Sequence, residues 1–177
     1  MRAARRSIRM NANHETWTVY DSPLGALTLR AGPRGLTALE FPGRAGEYGE
    51  DTRDPGAFAE AVRQLDEYFA GTRQRFELAL DLAGTPFQRS VWDHLRTIPF
   101  GATTSYSAVA RALGRVDRVR AVGAAIGRTP VPIVVPCHRV LAVDGALTGY
   151  GGGLERKRAL LDLEGSATPR ARQLALL

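Results

Sequence analysis

A cysteine stands next to a histidine in the segment Pro136-Cys137-His138-Arg139, and this pair is the first candidate for chemistry in the sequence. A thiolate is a strong nucleophile, but a free cysteine with a pKa of about 8.5 scarcely populates it at neutral pH. A neighbouring imidazole can accept the thiol proton, directly or through a water molecule. Adjacent side chains of a strand point to opposite faces, so this contact requires a turn or a bridging water. The alternative is that Cys137 is a small buried hydrophobic residue and His138 a structural histidine.

Cys137 is the only cysteine among the 177 residues, which excludes an intramolecular disulfide and a multi-cysteine zinc site. No run approaches the ~20 consecutive apolar residues that a membrane helix needs. The first ten residues carry four arginines with no apolar segment behind them, unlike a secretory signal. We therefore expect a cytoplasmic protein with no membrane contact, no metal and no cofactor.

Basic residues outnumber acidic ones by 24 to 18, which gives a net charge of +6, and all of them except Lys157 are arginines. Net charge alone raises the odds of nucleic-acid binding only modestly, so clustering matters more. Between Gly84 and Arg128 seven arginines face only two aspartates, which favours a phosphate-binding surface in this part of the chain. These arginines are Arg89, Arg96, Arg111, Arg115, Arg118, Arg120 and Arg128.

The order of the predicted elements indicates an α+β protein with two domains. We expect a small amino-terminal domain with an antiparallel sheet over residues 15–83 and a mostly helical domain over residues 84–165. A basic tail at residues 1–14 and a second tail at residues 166–177 flank them. The chain is long enough for two such small domains, and its 44% of hydrophobic residues suffices for a core.

The amino-terminal domain shows strand and helix patterns in turn. Alternation around turn residues over 17–41 predicts antiparallel strands, and residues 42–55 have the composition of a surface loop. Apolar residues recur at helical spacing over 58–69, and Gly71 follows where a helix would end. Alternation over 76–82 predicts one more, half-buried strand.

The second domain has the outline of a helix-turn-helix. Residues 85–88 (TPFQ) form a capping box with proline at the first helical position. Ser105 can cap a short helix, residues 114–116 can form a tight turn, and Asp117 can cap a second helix that runs to about Gly127. Such outlines also occur in proteins that never touch DNA.

An apolar run over residues 131–135 precedes Pro136, and we predict that it is a buried strand that delivers the thiol of Cys137. Beyond the thiol, glycines 149, 151, 152 and 153 indicate a turn, which on its own says nothing about function. Several other short segments of the second half also have a distinctive sequence. They are Gly84–Gln88, Ile98–Gly101, Ser105-Tyr106, Arg120–Gly123, Pro130–Val140, Leu147–Gly153 and Glu164-Gly165.

Together these segments resemble the catalytic region of the methylated-DNA:protein-cysteine methyltransferases, also called O6-alkylguanine-DNA alkyltransferases. The resemblance covers residues 85–165 closely. The first 83 residues resemble the family's more variable amino-terminal domain only loosely, through the turn at residues 22–25 and the order of elements. The expected function therefore rests on the second half.

The resemblance implies DNA repair in which Cys137 takes a methyl or other alkyl group from O6-alkylguanine, or from O4-alkylthymine, in duplex DNA. It makes His138 the base through a water, Glu164 the residue that orients the histidine, and Tyr106 the proton donor to the leaving guanine. Without the resemblance, Glu164 would be interpreted as a surface carboxylate at a helix end and Tyr106 as an ordinary half-buried aromatic residue. The thioether product is a poor leaving group, so each molecule should act once.

The resemblance also implies that the damaged nucleotide is flipped out of the duplex, which costs a few kcal/mol of stacking. Arg120 would fill the gap, and the alternative is an arginine that pairs with phosphate only. The implied DNA-binding residues are Arg120, Ala121, Ala124, Ser105 and Arg128, and the implied base pocket consists of Pro132, Val140, Tyr150, Gly151 and Gly152. We expect a monomer, and cooperative binding along DNA stays open.

Three residues depart from the pattern that the resemblance implies. Thr129 stands where asparagine is usual, Phe100 where tyrosine is usual, and Ala102 where glutamate is common. Thr129 matters most, because an asparagine amide both donates and accepts and can tie the turn after the DNA-binding helix to the active site. We expect Thr129 to be a structural turn residue that supports the transfer rate or the local stability less well than asparagine.

Three other functions stay open at this point. The first is a binding protein that recognises the lesion without transfer, as related alkyltransferase-like proteins that lack the cysteine do. The second is a helix-turn-helix transcription factor with a buried cysteine, which would prefer one palindromic sequence. The third is a cysteine hydrolase, which would turn over an ester substrate.

Overall fold

The computed structural model describes residues 15–166, and its first element is a three-stranded antiparallel sheet. Strands β1 (Thr16–Ser22), β2 (Gly25–Gly32) and β3 (Gly35–Glu40) pair in chain order. Side chains alternate between the two faces of the sheet, and the leucines of β2 and β3 belong to a buried core. The predicted antiparallel strands are confirmed.

Helix α1 (Ala59–Phe69) packs against the sheet through one apolar face. Leu65 and Phe58, which directly precedes the helix, are almost fully buried, as the helical spacing of the sequence predicts. Tyr68 is fully buried as well, although that spacing did not include it. Gly71, with φ +75°, follows the end of the helix in a conformation that favours glycine.

The strand predicted over residues 76–82 is wrong. The segment is extended, and its apolar side chains are half-buried in alternation, but only Leu80 forms a bridge with Leu36. Two backbone hydrogen bonds hold it, from Leu36 N to Ala79 O at 2.9 Å and from Asp81 N to Leu36 O at 2.8 Å. The alternation of apolar and polar residues indicates which side chains face a core. A strand also needs backbone pairing with a neighbouring strand along its whole length, and this segment lacks it.

Within the described residues, the second half contains four α-helices. Helix α2 (Pro86–Leu95) begins with the predicted capping box, in which Thr85 and Gln88 cap one another. A two-residue strand β4 (Thr104–Ser105) leads into α3 (Tyr106–Ala112), which Ser105 caps through Ala108 N. The other two are α4 (Val119–Gly127) and α5 (Leu154–Leu163).

Helices α3 and α4 form the predicted helix-turn-helix, but Asp117 does not cap α4. A short 3-10 turn over Val116–Arg118 contains Asp117, and α4 begins at Val119 without a side-chain cap. The turn is closed by a backbone hydrogen bond from Arg118 N to Arg115 O at 2.8 Å. An aspartate inside a 3-10 turn cannot occupy the extended conformation of an N-cap residue.

The segment over residues 131–135 is buried, as predicted, but it is a turn rather than a strand. Val135 N donates to Val131 O at 2.9 Å, and Ile133 has φ +75°, which is rare for a β-branched residue. Ile133 and Val134 pack into the sheet core, whereas Val135 packs among the helices. The backbone turns because its side chains belong to two different cores.

The same segment joins the two halves of the structure. Leu39 N of β3 donates to Pro130 O at 2.9 Å, and a two-residue strand β5 (Val140–Leu141) pairs in parallel with β4. Between these two anchors lies the 3-10 turn Cys137–Arg139, so both halves fix the position of the thiol. The predicted α+β fold class is confirmed.

Two predictions concern the chain ends and the membrane. The predicted basic tail at residues 1–14 and residues 167–177 of the second tail lie outside the described residues. Within residues 15–166 no helix combines the length and the apolar character that a membrane span requires.

Candidate active site

Cys137 borders a groove of about 860 Å³ that lies between the two halves of the structure. The thiol belongs to the 3-10 turn Cys137–Arg139, and only 5% of the residue is exposed. Strand β3, the end of α4 and the loop at residues 149–152 form the walls. Arginines also line the groove, namely Arg30, Arg34, Arg44, Arg89 and Arg128. Glu15, Glu40 and Asp81 line it as well, so a nucleophile is placed in a groove in which arginines outnumber carboxylates.

Burial raises the pKa of the Cys137 thiol to about 11. Three features act in the opposite direction, namely the hydroxyl of Thr129, the positive charge of Lys157, and the backbone amides of Cys137 and His138. The free protein therefore keeps its thiol protonated at neutral pH. Reaction requires a base that removes this proton as the sulfur attacks.

His138 is fully buried and has the properties of such a base. Its Nε2 lies 2.8 Å from Glu164 Oε1, and burial lowers the pKa of the imidazole, although Glu164 counteracts this. A neutral ring that donates from Nε2 keeps a lone pair on Nδ1, and Nδ1 has no hydrogen-bond partner within the described residues. Within residues 15–166 no hydrogen bond joins the His138 imidazole directly to the Cys137 thiol, so proton transfer between these side chains would need a bridging water.

Glu164 is a buried carboxylate, and its interpretation as a surface residue is wrong. Only 5% of it is exposed. Burial by itself would raise its pKa, but hydrogen bonds and positive charge from His138 and Arg139 hold the pKa at about 2. Arg139 donates through Nη2 to Oε1 and through Nε to Oε2, both at 2.8 Å. Glu164 therefore stays ionised and can fix the orientation of the imidazole.

Lys157 is a residue of the site that the sequence reasoning missed. Its fully buried Nζ donates to Val140 O at 2.6 Å and to Thr148 O at 2.8 Å, and burial lowers its pKa to about 8. The positive charge of Lys157 stabilises a thiolate on Cys137. The only signal in the sequence was that this is the single lysine among 24 basic residues.

The predicted base pocket is mostly brought together beside the thiol. Pro132, Tyr150, Gly151 and Gly152 line the groove with Cys137. A Cβ at Gly152 would lie 2.6 Å from the Phe41 ring, which explains glycine at that position. The remaining predicted residue, Val140, is fully buried among the helices and does not line the groove.

Ser105 and Tyr106 lie at the start of α3, and Tyr106 packs against the helical core that contains Cys137. The Tyr106 hydroxyl donates to Thr148 O at 3.2 Å, so it reaches the loop beside the groove rather than Cys137. The Ser105 hydroxyl accepts from Ala108 N at 3.1 Å and caps the helix. A proton transfer from Tyr106 to the leaving guanine would require the nucleobase to approach the Tyr106 hydroxyl beside the loop at residues 148–149.

Four of the predicted DNA-binding residues lie in or just after α4, on its exposed side. Its predicted residues Arg120, Ala121, Ala124 and Arg128 are all at least partly exposed, while Val122, Ala125 and Ile126 are buried. Trp92 Nε1 donates to Ala125 O at 2.9 Å and anchors the buried side of the helix. None of the ion pairs within residues 15–166 includes Arg120 or Arg128, so both charges are available to a partner.

Comparison with known proteins decides the family. The family described as 6-O-methylguanine DNA methyltransferase, DNA binding domain, matches residues 86–166, and its ribonuclease-like domain matches residues 16–82. The methylated-DNA–protein-cysteine methyltransferase of Mycobacterium tuberculosis is 51% identical over 155 residues, which cover 86% of this chain and 94% of the relative. The chain belongs to the 6-O-methylguanine DNA methyltransferase family.

Other members of the methyltransferase family agree with this assignment. The methylated-DNA–protein-cysteine methyltransferase of Methanosarcina acetivorans is 42% identical over 155 residues, which cover 85% of this chain and 98% of the relative. The crystal structure of Mycobacterium tuberculosis OGT in complex with DNA aligns with a TM-score of 0.79 at 49% identity and covers 90% of this chain and 99% of that chain. The resemblance inferred from the sequence is confirmed.

Within the residues that the structure describes, no group of three or more His, Cys, Asp or Glu side chains could hold a metal ion. The side chains that the site brings together are a thiol, an imidazole, a carboxylate and an ammonium group.

Thr129→Asn should increase the rate of alkyl transfer several-fold. The single hydroxyl proton of Thr129 can be donated either to Ile126 O, at 2.7 Å, or to the Cys137 sulfur, but not to both at the same time. An asparagine amide carries two protons and can serve both acceptors, which should lower the thiol pKa. The pH dependence of thiol alkylation and single-turnover kinetics measure the two effects.

Thr129→Val is the matched control, because it removes the hydroxyl at nearly constant shape. It should raise the thiol pKa and slow the transfer. A faster reaction with valine, or a large loss with asparagine, would show that the turn depends on the threonine side chain for another reason.

Proposed function

We propose that this protein repairs alkylated DNA by transferring an alkyl group from the O6 atom of guanine to its own Cys137. The observation that carries the proposal is the buried thiol of Cys137, which borders a basic groove beside Lys157 and the His138–Glu164 pair. Membership of the methyltransferase family and a DNA-bound relative support DNA as the partner. DNA repair by alkyl transfer is thus the function that the site supports best.

The transfer is an in-line displacement at the alkyl carbon. The Cys137 thiol gives its proton through a water to Nδ1 of His138, and the sulfur attacks the carbon as the carbon–oxygen bond breaks. The electron pair of that bond leaves with guanine, which accepts a proton from Tyr106. Once the proton on His138 has restored the phenol through solvent, the products are a thioether on Cys137 and an intact guanine.

The target atom is shielded inside duplex DNA, so the damaged nucleotide must leave the stack. The groove volume of about 860 Å³ falls in the range of small-molecule sites, about 300–1,000 Å³, and is large enough for an extruded base. The small residues Ala121 and Ala124 allow α4 to approach the minor groove closely, and Arg120 occupies the gap. We further propose that the protein acts as a monomer in the cytoplasm and that O4-alkylthymine is a second substrate.

A duplex that carries one O6-methylguanine with a labelled methyl group tests this function directly. The label should move from DNA to protein, and a duplex labelled only at the C5 methyl groups of thymine should transfer none. Label released as methanol would instead favour a hydrolase, and binding without movement of label would favour a lesion-recognition protein. A strong preference for one palindromic sequence would favour a transcription factor.

Arg120→Ala should slow the repair of duplex DNA about 10- to 100-fold while leaving the reaction with free O6-benzylguanine within about twofold. Only the duplex has to be held open, and Arg120 does not line the groove that holds the base. Single-turnover kinetics on the two substrates measure the difference.

Arg63→Ala is the control, because it removes the same charge from the exposed face of α1, outside this groove. It should change neither rate by more than about twofold, since exposed ion pairs contribute little to stability. Equal losses on both substrates with Arg120→Ala would exclude the arginine from nucleotide flipping.

A further inference from the structure

We propose that Tyr68 of the amino-terminal half is a positioning residue for alkyl transfer, because it holds the Glu164 carboxylate that orients His138. This inference rests on the proposed function. The amino-terminal half would then contribute directly to the reactivity of the thiol, through one phenol that reaches across the interface between the two halves.

The geometry places Tyr68 and His138 on the same oxygen atom. The Tyr68 hydroxyl donates to Glu164 Oε1 at 2.7 Å, and His138 Nε2 lies 2.8 Å from that same oxygen. Arg139 Nη2 also donates to Oε1. The other carboxylate oxygen, Oε2, accepts from Arg139 Nε and, at 3.2 Å, from Gly101 N. Only Tyr68 in this set comes from the amino-terminal half, 96 residues away in sequence.

The phenol is held in place by aromatic packing without exposure to solvent. Tyr68 is fully buried, and its ring packs against Phe69, Phe76 and Phe100 at centroid distances of 5.4, 5.2 and 6.1 Å. Arg139 lies over the Phe100 ring at 5.9 Å. A hydrogen bond in such a dry environment acts strongly on the charge of its acceptor.

The hydrogen bond from Tyr68 should make the transfer reaction less sensitive to acid. It withdraws charge from Oε1, so the carboxylate stabilises a protonated His138 less than it would alone. His138 then stays neutral, and able to accept the thiol proton, at lower pH. The other charged and titratable groups around the pair are Arg139, Lys157, Cys137 and Tyr150, all of which stay in place in the test.

Tyr68→Phe removes the hydroxyl and keeps the ring, and its effect should depend on pH. The acid limb of the single-turnover rate profile should move up by roughly half a pH unit, which lowers the rate about threefold on the acid limb. On the plateau at higher pH the rate should stay within about twofold of that of the wild type. A loss of stability alone would lower the active fraction without moving this midpoint.

Tyr20→Phe is the matched control. Tyr20 is also buried and donates to a carboxylate, Asp66 Oδ1, at 2.7 Å, but within residues 15–166 Asp66 forms no hydrogen bond or ion pair with His138. This variant should leave the midpoint of the profile unchanged. In a Glu164→Gln background, Tyr68→Phe should have no further effect on the midpoint, because the acceptor charge is already absent.

An unchanged midpoint in Tyr68→Phe, or an equal shift in Tyr20→Phe, would overturn the role of Tyr68. A persistent shift in the Glu164→Gln background would show that Tyr68 does not act through the carboxylate and would overturn it as well. If the wild-type protein transfers no alkyl group, the proposed function fails. If the wild type transfers and only these variants behave otherwise than expected, the inference about Tyr68 alone is wrong.

Discussion

Cys137→Ser is expected to abolish alkyl transfer while duplex DNA still binds with nearly the same affinity. A serine hydroxyl is far less acidic than a thiol, and the surroundings of Cys137 raise even the thiol pKa to about 11. The rate should therefore fall by several orders of magnitude. Binding should change less than about twofold, because residue 137 is buried and the exposed face of α4 is untouched.

Single-turnover kinetics and a fluorescence titration with an undamaged duplex measure the two properties on the same preparation. Val135→Ala is a suitable control, since Val135 is also buried beside Cys137 but carries no reactive group. Transfer should persist in the folded fraction of that control. Transfer that persists in Cys137→Ser would disprove the role of the thiol.

Glu164→Gln should lower the free energy of unfolding by about 3–5 kcal/mol. The carboxylate is buried and compensates the charge of Arg139, and an amide leaves that guanidinium buried without a counter-ion. The rate of transfer in the folded fraction should fall as well, because His138 loses the charge that orients it and stabilises its protonated form. Urea unfolding and single-turnover kinetics measure the two losses.

Asp81→Asn is the control, since its partner Arg34 is largely exposed and the pair should contribute no more than about 1 kcal/mol. The pKa of Glu164 is lowered from 4.5 to about 2 in the folded protein, so its stabilising contribution is present above pH 4.5 and is lost as pH falls towards 2. The difference between wild type and Glu164→Gln should shrink in that window. A loss below about 1 kcal/mol at pH 7 would contradict the buried ion pair.

Local signals in the sequence predicted the parts of the fold that depend on local interactions. The capping box at Thr85 and Gln88 and the cap at Ser105 were found at the predicted positions, because these hydrogen bonds join residues three apart. Asp117 was the exception, since its capping role depended on the exact residue at which α4 begins. Turn composition alone could not specify that residue.

The turn at residues 131–135 could not be predicted, because its conformation depends on the packing of the whole molecule. A run of β-branched apolar residues has the composition of a strand, yet Ile133 and Val135 are buried in different cores. The backbone has a rare conformation at Ile133, which allows both side chains to be buried. Such strain costs on the order of 1–3 kcal/mol. This turn directs Cys137 towards the groove.

The candidate site was predictable where one short segment carries it. Cys137 and His138 are adjacent in the chain, so their chemistry could be inferred from the sequence alone. Lys157 and Tyr68 were missed because their partners are distant in the chain, and in isolation each has the sequence context of an ordinary helical residue. Glu164 was predicted through the family resemblance, whereas its burial depends on contacts from three separate segments.

The measurement that tests the account most directly is a titration of the protein with excess DNA that contains O6-methylguanine. Repaired guanine should reach a plateau at one equivalent per active molecule, since a thioether on Cys137 is a poor leaving group. Intact mass and peptide mapping should locate one added CH₂ on the peptide that contains Cys137. Repair that continues well past one equivalent, or a methyl group on any other residue, would contradict transfer to Cys137.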